Sequence, residues 1–315
     1  MRNKRAEINL GFVCNNLCKF CMVGVLPEQR KFSSFVSLKK EIADYYKRGY
    51  RALGFLGGEP TIYPKIAGLA SFARRLGFKR ILIVSNGRRY SDKAFLEKLI
   101  HSGVTSFYVS IHSHKAGIED YLTSVKGSFR EKIEGLRNLQ YFRDRGLIKD
   151  TIFLNIVVNK RNYKYLRDII LFYYRMGFSA FRFNFIRPEG RGFLYARQMV
   201  PAYSRIMKHV REALDSAKAL NAEISFDSIP PCLFYRYRIE GFEHYIGELR
   251  DGPTESSLEE GGRRRRFVIS QVRISRDKTK GRSCKKCVFD PICEGVWKNY
   301  KRLYGMKEFK PVIKP

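Results

Sequence analysis

Short apolar runs alternate with amphipathic stretches over the first two thirds of this 315-residue chain, and this alternation is what most constrains its fold. The strand-like runs are INLGFV (8–13), RALGFLG (51–57), RILIVS (80–85), SFYVSIH (106–112), TIFLNIVVN (151–159) and AFRFNFI (180–186). The helical stretches span 37–49, 66–77, 92–103, 129–146, 163–177 and 201–219. Because the strand-like runs are continuously apolar, they suit a parallel sheet that is covered on both faces. We therefore expect an α/β fold, a partial (β/α)6 TIM-like barrel with its active site at the carboxyl ends of the strands.

The pattern changes after residue 219, and we place a domain boundary there. Residues 1–219 form the predicted core domain, and residues 220–315 form a small C-terminal domain. Within the latter, DGPTESSLEEGG (251–262) predicts a polar loop, and RRRRFVISQVRIS (263–275) alternates like a strand of a hairpin.

The composition excludes membrane and secretory classes. No apolar run approaches the roughly 18 residues that a membrane helix needs, and the first 14 residues hold an apolar stretch of only six, shorter than a secretory signal requires. We therefore expect a cytoplasmic protein without a membrane partner. In that compartment thiols stay reduced, and clustered cysteines bind metal more often than they form disulfides.

The charge is strongly positive and unevenly distributed. The chain has 61 Lys and Arg against 30 Asp and Glu, and residues 261–315 alone hold 17 basic and 4 acidic side chains. Such a region attracts polyanions, so nucleic acid is a possible partner, with Arg263–Arg266 as phosphate contacts. The alternative is a basic surface that is simply solvated.

Three cysteines follow the first predicted strand within eight residues. CNNLCKFC contains Cys14, Cys18 and Cys21, at the end of the barrel where the active site is expected. Three thiolates can hold three irons of a [4Fe–4S] cluster and leave the fourth iron open to a substrate. Zinc is the alternative, but a structural zinc site takes four ligands and no fourth cysteine lies nearby.

The same octapeptide resembles the CxxxCxΦC signature of the radical S-adenosylmethionine (SAM) superfamily, in which the aromatic Φ packs on the adenine of SAM. Turn motifs similar to those of the superfamily follow at later strand ends: GGEP (57–60), SNG (85–87), SIHS (110–113) and the asparagine of NIVVNK. Taken singly, these motifs are turn signals, and Glu59 is a helix cap. Together, the resemblance implies a SAM site formed by Phe20, Gly57, Gly58, Glu59, Pro60, Ser85, Asn86, Ser110, His112 and Asn155.

Four further cysteines lie in the C-terminal region. CKKCVFDPIC contains Cys284, Cys287 and Cys293, and Cys232 lies in IPPCLF. This pattern resembles the shortened auxiliary-cluster domain of the SPASM/twitch branch, which implies a second, auxiliary [4Fe–4S] cluster with four cysteine ligands. Two alternatives remain open: zinc as the metal, and Cys232 as a buried apolar thiol.

The resemblance implies an enzyme that cleaves SAM reductively and abstracts hydrogen from a substrate with a 5′-deoxyadenosyl radical. Cys14, Cys18 and Cys21 are then the catalytic residues, the electron donor is ferredoxin or flavodoxin, and the substrate is a peptide, a protein or a small molecule. The alternatives are a radical SAM enzyme that modifies RNA, and a non-catalytic iron–sulfur or zinc protein that binds nucleic acid.

Overall fold

The computed structural model describes residues 5–24, 28, 30–246, 254–260 and 263–313 of the chain. Its strands are β1 (Arg5–Asn9), β2 (Ala52–Leu56), β3 (Arg80–Ser85), β4 (Ser106–Ser110), β5 (Ile152–Val158), β6 (Ala180–Phe185), β7 (Glu223–Asp227), β8 (Thr254–Glu260), β9 (Arg263–Val268), β10 (Lys278–Thr279) and β11 (Val296–Trp297). All six predicted strands are present, and a seventh, β7, continues the series.

Helices connect these strands. They are α1 (Phe35–Lys47), α2 (Ile66–Leu76), α3 (Lys93–His101), α4 (Ala116–Thr123), α5 (Ser128–Asp144), α6 (Leu166–Arg175), α7 (Arg191–Leu194), α8 (Ala196–Met199), α9 (Tyr203–Ala219) and α10 (Pro231–Arg236). Shorter helical segments are Pro60–Ile62, Arg88–Ser91, Tyr163–Tyr165, Phe242–Tyr245, Ile269–Val272, Arg273–Asp277 and Arg282–Lys286, and a last helix covers Lys298–Tyr304. Among the described residues, we find no helix whose length and apolar character would let it cross a membrane.

Local sequence explains where several helices begin and end. The Ser34 hydroxyl accepts a hydrogen bond from the Ser37 amide at the start of α1, and the Asp92 carboxylate does the same for Phe95 in α3. Helix α2 ends at Gly77, whose φ of +104° is a left-handed conformation that glycine adopts without strain.

The main sheet has nine strands in the order β7-β6-β5-β4-β3-β2-β1-β8-β9. Every neighbouring pair from β7 to β8 is parallel, and only β8 and β9 are antiparallel. The sheet therefore has two edges, as a partial barrel does. Strand β1, which leads into the three-cysteine loop, lies between β2 and β8.

The hydrophobic core is continuous along this sheet. Buried side chains of all seven consecutive parallel strands join those of the helices in one cluster, and Cys232 and Trp297 of the C-terminal region belong to it as well. The carboxyl ends of β1–β6 therefore stand on a packed base, which is what a site of several loops needs to keep its geometry.

Three predictions about element boundaries are wrong. Strand β1 ends at Asn9 rather than residue 13, because Gly11, with φ of +113°, turns the chain into an isolated bridge with Phe32. Part of the predicted loop 251–262 is strand β8; residues 251–253 and 261–262 lie outside the described residues. Strand β9 confirms only the first part of the predicted strand 263–275, since helical turns begin at Ile269.

The charges that suggested a loop are used in ion pairs. Glu255 of β8 accepts hydrogen bonds from Arg48 at 2.6 and 2.7 Å and from the Tyr50 hydroxyl at 2.9 Å. Arg264 of β9 pairs with the buried Glu41 of α1 and donates to the Asn9 carbonyl at 2.7 Å. A polar segment can thus form a strand when its charges are paired and its backbone bonds to a neighbour.

Candidate active site and auxiliary cysteine site

The loop that carries Cys14, Cys18 and Cys21 lies over the carboxyl ends of the first four strands. The Leu17 and Lys19 amides each donate to a carbonyl at the end of α4, at 3.0 Å. Each of the three sulfurs is near enough to another for their charges to interact. The loop therefore brings the three thiols into one site.

The GGEP turn after β2 supports this loop through its backbone. The Gly58 and Glu59 amides donate to the carbonyls of Gly11 and Val13, each at 2.8 Å. A Cβ atom on Gly58 would stand 2.1 Å from the Val13 oxygen, closer than any side chain can approach. Glycine is required here because the two backbones are in contact.

Glu59 connects two of the predicted motifs, GGEP and SNG. It caps the short helix Pro60–Ile62 by accepting from the Thr61 amide at 2.9 Å, which is the simple role that the sequence allowed. Its carboxylate also accepts from the Ser85 hydroxyl at 2.8 Å and the Asn86 amide at 2.6 Å. Since Glu59 is only 2% exposed, it fixes the SNG turn after β3 relative to the GGEP turn.

The SNG turn in turn holds the cysteine loop. Asn86 donates to the Asn15 side chain at 2.7 Å, and the guanidinium of Arg88 donates to the Asn15 carbonyl at 2.6 Å and to the Asn16 side chain at 2.9 Å. Arg88 was missed by our sequence analysis, although it directly follows the SNG motif.

His112 packs against the aromatic residue of the cysteine motif. Its ring lies 4.5 Å from the ring of Phe20, edge to face, and its Nδ1 accepts from the Val157 amide at 3.1 Å. Burial lowers the pKa of His112 well below its ordinary value, and the nearby Lys132 adds to this shift. The imidazole is therefore neutral and carries its proton on Nε2.

A fully buried ion pair lies beneath His112 and was also missed. Lys132 of α5 contacts Glu119 of α4 at 2.5 Å, and both side chains are 0% exposed. Lys132 donates to the Ser110 carbonyl at 2.9 Å, and Glu119 accepts from the His112 amide at 2.7 Å. The pair thus satisfies the backbone at the end of β4, where SAM contacts are predicted.

Asn155, the remaining predicted residue, lies beside polar side chains of β6 and β7. Asn155 of β5 accepts a hydrogen bond from Asn184 of β6 at 2.6 Å, and both are half-buried. Arg182 of β6 lies 3.6 Å from Asp227 of β7. Apart from Asn155, which lies mid-strand opposite Ser110 at the end of β4, the residues predicted for the SAM site lie at the carboxyl ends of β1–β4 or in the loops and turns there, while their contacts with SAM stay a prediction.

The three-thiol loop fits an iron–sulfur cluster by its chemistry. Burial raises the pKa of the Cys14 thiol to about 11 and that of Cys18 to about 12. Buried thiolates need compensating positive charge, which bound iron supplies. The loop offers three cysteine sulfurs, so it would hold three irons of a [4Fe–4S] cluster and leave the fourth iron open.

The four C-terminal cysteines line one cavity. Cys232 of α10 faces Cys284, Cys287 and Cys293. Burial raises the pKa of the Cys232 thiol to about 12, and the charges of the other three cysteines contribute to this rise. Four cysteine sulfurs suit either a [4Fe–4S] cluster or zinc. In the part of the chain that the structure describes, no three His, Cys, Asp or Glu side chains are arranged to hold a single metal ion.

The auxiliary cysteine site is attached to the rim of the barrel by a charged network. Arg187, just after β6, donates to Asp277 at 2.7 Å, and its guanidinium lies 4.8 Å from the ring of Trp297 in β11. Asn299 donates to the Pro188 carbonyl at 2.9 Å. The C-terminal region that carries these cysteines is therefore joined to the segment that follows β6.

The family model of the Radical SAM superfamily matches residues 8–173, which is more than half of the chain. A three-cysteine loop above a partial barrel defines the class, and the chain belongs to the radical SAM superfamily.

Curated relatives and solved structures agree with this assignment. A probable GTP 3′,8-cyclase of Saccharolobus islandicus is 28% identical over 190 residues, covering 59% of this chain and 58% of its own length. That of Sulfurisphaera tokodaii is 29% identical over 188 residues, covering 59% and 57%. The chain thus spans less than two thirds of the curated relatives that it matches.

Two solved structures share the fold. Streptococcus suis SuiB bound to its precursor peptide SuiA has a TM-score of 0.66 at 17% identity, covering 98% of this chain and 74% of its own. HydG, a maturase of the FeFe hydrogenase, has a TM-score of 0.56 at 14% identity, covering 81% and 56%. The predicted α/β partial barrel with an added C-terminal region is confirmed by these neighbours.

Proposed function

We propose that this enzyme holds a [4Fe–4S] cluster on Cys14, Cys18 and Cys21 and cleaves SAM reductively at it. The observation that carries the proposal is that two other motifs bond directly to the three-thiol loop. The Gly58 and Glu59 amides bond to backbone carbonyls at its start, and the Asn86 side chain bonds to the Asn15 side chain. When bound, such a cluster supplies the electron that splits SAM into methionine and a 5′-deoxyadenosyl radical, which takes hydrogen from the substrate.

The chain's own residues have distinct roles in this proposal. Phe20, held by the neutral His112 ring, offers an apolar face to adenine. Asn86, in the turn after β3, and Asn155 of β5 are the residues that we assign to the ribose and the methionine carboxylate. Glu59 and Ser85 are positioning residues, because their polar atoms are used in holding the turns.

We further propose that Cys232, Cys284, Cys287 and Cys293 hold an auxiliary [4Fe–4S] cluster that transfers electrons. Four thiolates leave no iron open for a substrate, which favours electron transfer over substrate binding. The shared cavity supports the grouping, and the Arg187 network supports its position beside the active-site rim.

A small molecule is the substrate class that we propose first, from the resemblance to relatives named GTP 3′,8-cyclase. A peptide is the second candidate, since SuiB, whose fold extends over 98% of this chain, was solved with a precursor peptide. Two of the four arginines considered as phosphate contacts are paired with carboxylates of α1: Arg264 is bound to Glu41 and only 12% exposed, and Arg266 lies 2.8 Å from Asp44.

Iron and zinc per chain, measured on anaerobically reconstituted protein, test both clusters. For the wild-type protein we expect about eight irons and no zinc. Either Cys14→Ala or Cys232→Ala should leave about four irons. Only Cys14→Ala, which removes the first site, should abolish the production of 5′-deoxyadenosine. Ser283→Ala, an exposed neighbour of Cys284, is the control and should keep the full iron content.

Other results would contradict specific parts. Full iron content in Cys232→Ala would remove that residue from the ligand set. Four irons with one zinc would make the auxiliary site a zinc site. Zinc without iron would refute the proposed reaction.

A further inference from the structure

One exposed face lies directly over the cysteine loop and is formed by α7 and the loop itself. The Arg191 guanidinium donates to the carbonyls of Cys18 and Leu17, each at 3.3 Å. The Gly192 amide donates to the Cys21 carbonyl at 3.0 Å. This face is therefore connected to two predicted iron ligands through single hydrogen bonds to their backbones.

Cations and tyrosines alternate along this face in a continuous row. The Arg161 guanidinium lies 4.7 Å from the ring centre of Tyr121, and the Lys19 ammonium lies 4.9 Å from the rings of both Tyr121 and Tyr195. The Arg191 guanidinium follows at 5.6 Å from Tyr195. Within the described residues, none of these three cations lies at ion-pair distance from a carboxylate.

Large apolar side chains are exposed on the same two segments. Leu194 of α7 is 76% exposed and Phe193 is 47% exposed, while Met22 and Leu17 of the cysteine loop are 52% and 39% exposed. Exposed apolar residues on the same segments as cations are a usual composition of a protein interface. We call these four residues, with Lys19, Arg161 and Arg191, the loop face.

We propose that the loop face is the docking site of an acidic electron-transfer protein. The inference rests on the proposed function, since it concerns delivery of the electron to the first cluster. The cations attract an acidic partner and accelerate its association. The exposed apolar residues add an apolar contact surface. Because Arg191 and Gly192 bond to the cysteine loop, a partner docked here lies next to that loop.

Nucleic acid is a poorer match to the same residues. Proteins bind single strands by stacking bases on open aromatic rings, whereas the rings of Tyr121 and Tyr195 are already covered by cations. Leu194 and Met22 would also remain exposed beside a phosphate backbone.

In each encounter the docked donor protein is oxidised by one electron and this enzyme is reduced by one electron.

The experiment compares a protein donor with a small-molecule reductant. Reconstituted enzyme is reduced under anaerobic stopped-flow conditions by a photoreduced, acidic bacterial flavodoxin or by dithionite. The variants are Arg161→Glu, within the loop face, and Arg197→Glu, next to it; Arg197 is exposed on α8, where its carbonyl accepts a hydrogen bond from Lys160, the residue before Arg161. Lys79→Glu, exposed at the opposite end of the sheet before β3, is the matched control.

We expect each test variant to lower the flavodoxin rate roughly tenfold and to weaken its salt dependence, with the dithionite rate unchanged. Binding of the enzyme to immobilised flavodoxin should weaken in parallel, and Lys79→Glu should behave as wild type. Unchanged flavodoxin rates would overturn the proposal, as would equal losses with both reductants. Weakened binding of tRNA with normal flavodoxin reduction would assign the face to nucleic acid instead. If wild-type enzyme reduced by dithionite cannot cleave SAM, the proposed function itself has failed.

Discussion

Replacing Lys132 with methionine tests the most heavily buried part of the site. The Lys132 and Glu119 side chains are both 0% exposed and 2.5 Å apart, and each also bonds to the backbone around β4. Lys132→Met removes the cation but leaves a carboxylate in the interior, which costs about 3–5 kcal/mol. For a chain of this length unfolding as one unit, that corresponds to a melting temperature about 5–8 °C lower.

A second change should restore most of the loss. Lys132→Met with Glu119→Gln removes both charges, and the glutamine oxygen can still accept from the His112 amide. Replacing a buried ion pair with neutral groups of similar size is close to neutral in stability, so we expect the double variant to lie within about 1–2 kcal/mol of wild type. Urea unfolding monitored by circular dichroism gives the free energies, and the two midpoints are compared at equal slope.

The control lies on the same helix. Arg137 and Glu134 of α5 form a pair at 3.3 Å with side chains 68% and 51% exposed, so Arg137→Met should change stability by less than about 0.5 kcal/mol. The reasoning is refuted if Lys132→Met costs less than about 1 kcal/mol, or if the double variant loses as much as the single one.

Three further predictions concern the loop, the pH dependence and the hairpin. In Gly58→Ala, the new Cβ would stand 2.1 Å from a backbone oxygen of the cysteine loop, so this variant should lose the iron of the first site. The control Gly117→Ala, whose Cβ would have nothing within 4 Å, should keep it. Iron content per chain distinguishes the two results. Because His112 is buried with its pKa well below 6.5, the unfolded chain binds a proton that the folded chain excludes. Stability must therefore fall as the pH drops below about 6.5, by up to about 1.4 kcal/mol between pH 7.5 and 5.5, and urea titrations of His112→Gln should show a smaller fall. Arg264→Met should cost about 3 kcal/mol in the same assay, because it leaves Glu41, 3% exposed, without its cation; a normal urea midpoint would contradict this.

The strand series and the motif positions were predictable because their signals are local. An apolar run followed by a glycine-containing turn marks a strand end whatever its neighbours are, and a parallel sheet brings such ends to one edge. Glu59 shows the limit of this reasoning. Its helix-capping role depends on the residue two positions away, but its bonds to Ser85 and Asn86 join residues 26 and 27 positions apart.

Lys132 was missed although the sequence carries a signal for it. It lies four and seven positions before Leu136 and Leu139, on the apolar side of α5, and all three are buried. A single cation on an apolar stripe predicts either snorkelling to solvent or a buried partner. The partner, Glu119, lies on another helix, so only the packing of α4 against α5 reveals it.

The error over residues 254–260 has a different cause. Composition predicts how a segment behaves alone, and TESSLEE alone would be a solvated loop. In the folded chain its glutamates meet arginines from α1 and β9, and its backbone pairs with β1 from Arg5 opposite Thr254 to Ile8 opposite Ser257. A prediction made segment by segment cannot include partners about 250 positions away.

This pairing bears on how the active site is supported. Strand β1 delivers the chain to the three cysteines, and without β8 it would be an edge strand with unpaired backbone on one side. Arg264 bonds the β8–β9 hairpin to the carbonyl of Asn9, the last residue of β1. At the other side of the rim, Arg187 bonds to Asp277. Residues beyond 219 thus support both the strand that leads to the cysteine loop and the end of the sixth strand. The proposed SAM site would consequently depend for its rigidity on this C-terminal region, so changes at Arg264 or Arg187 should alter the surroundings of Cys14 without any contact to it.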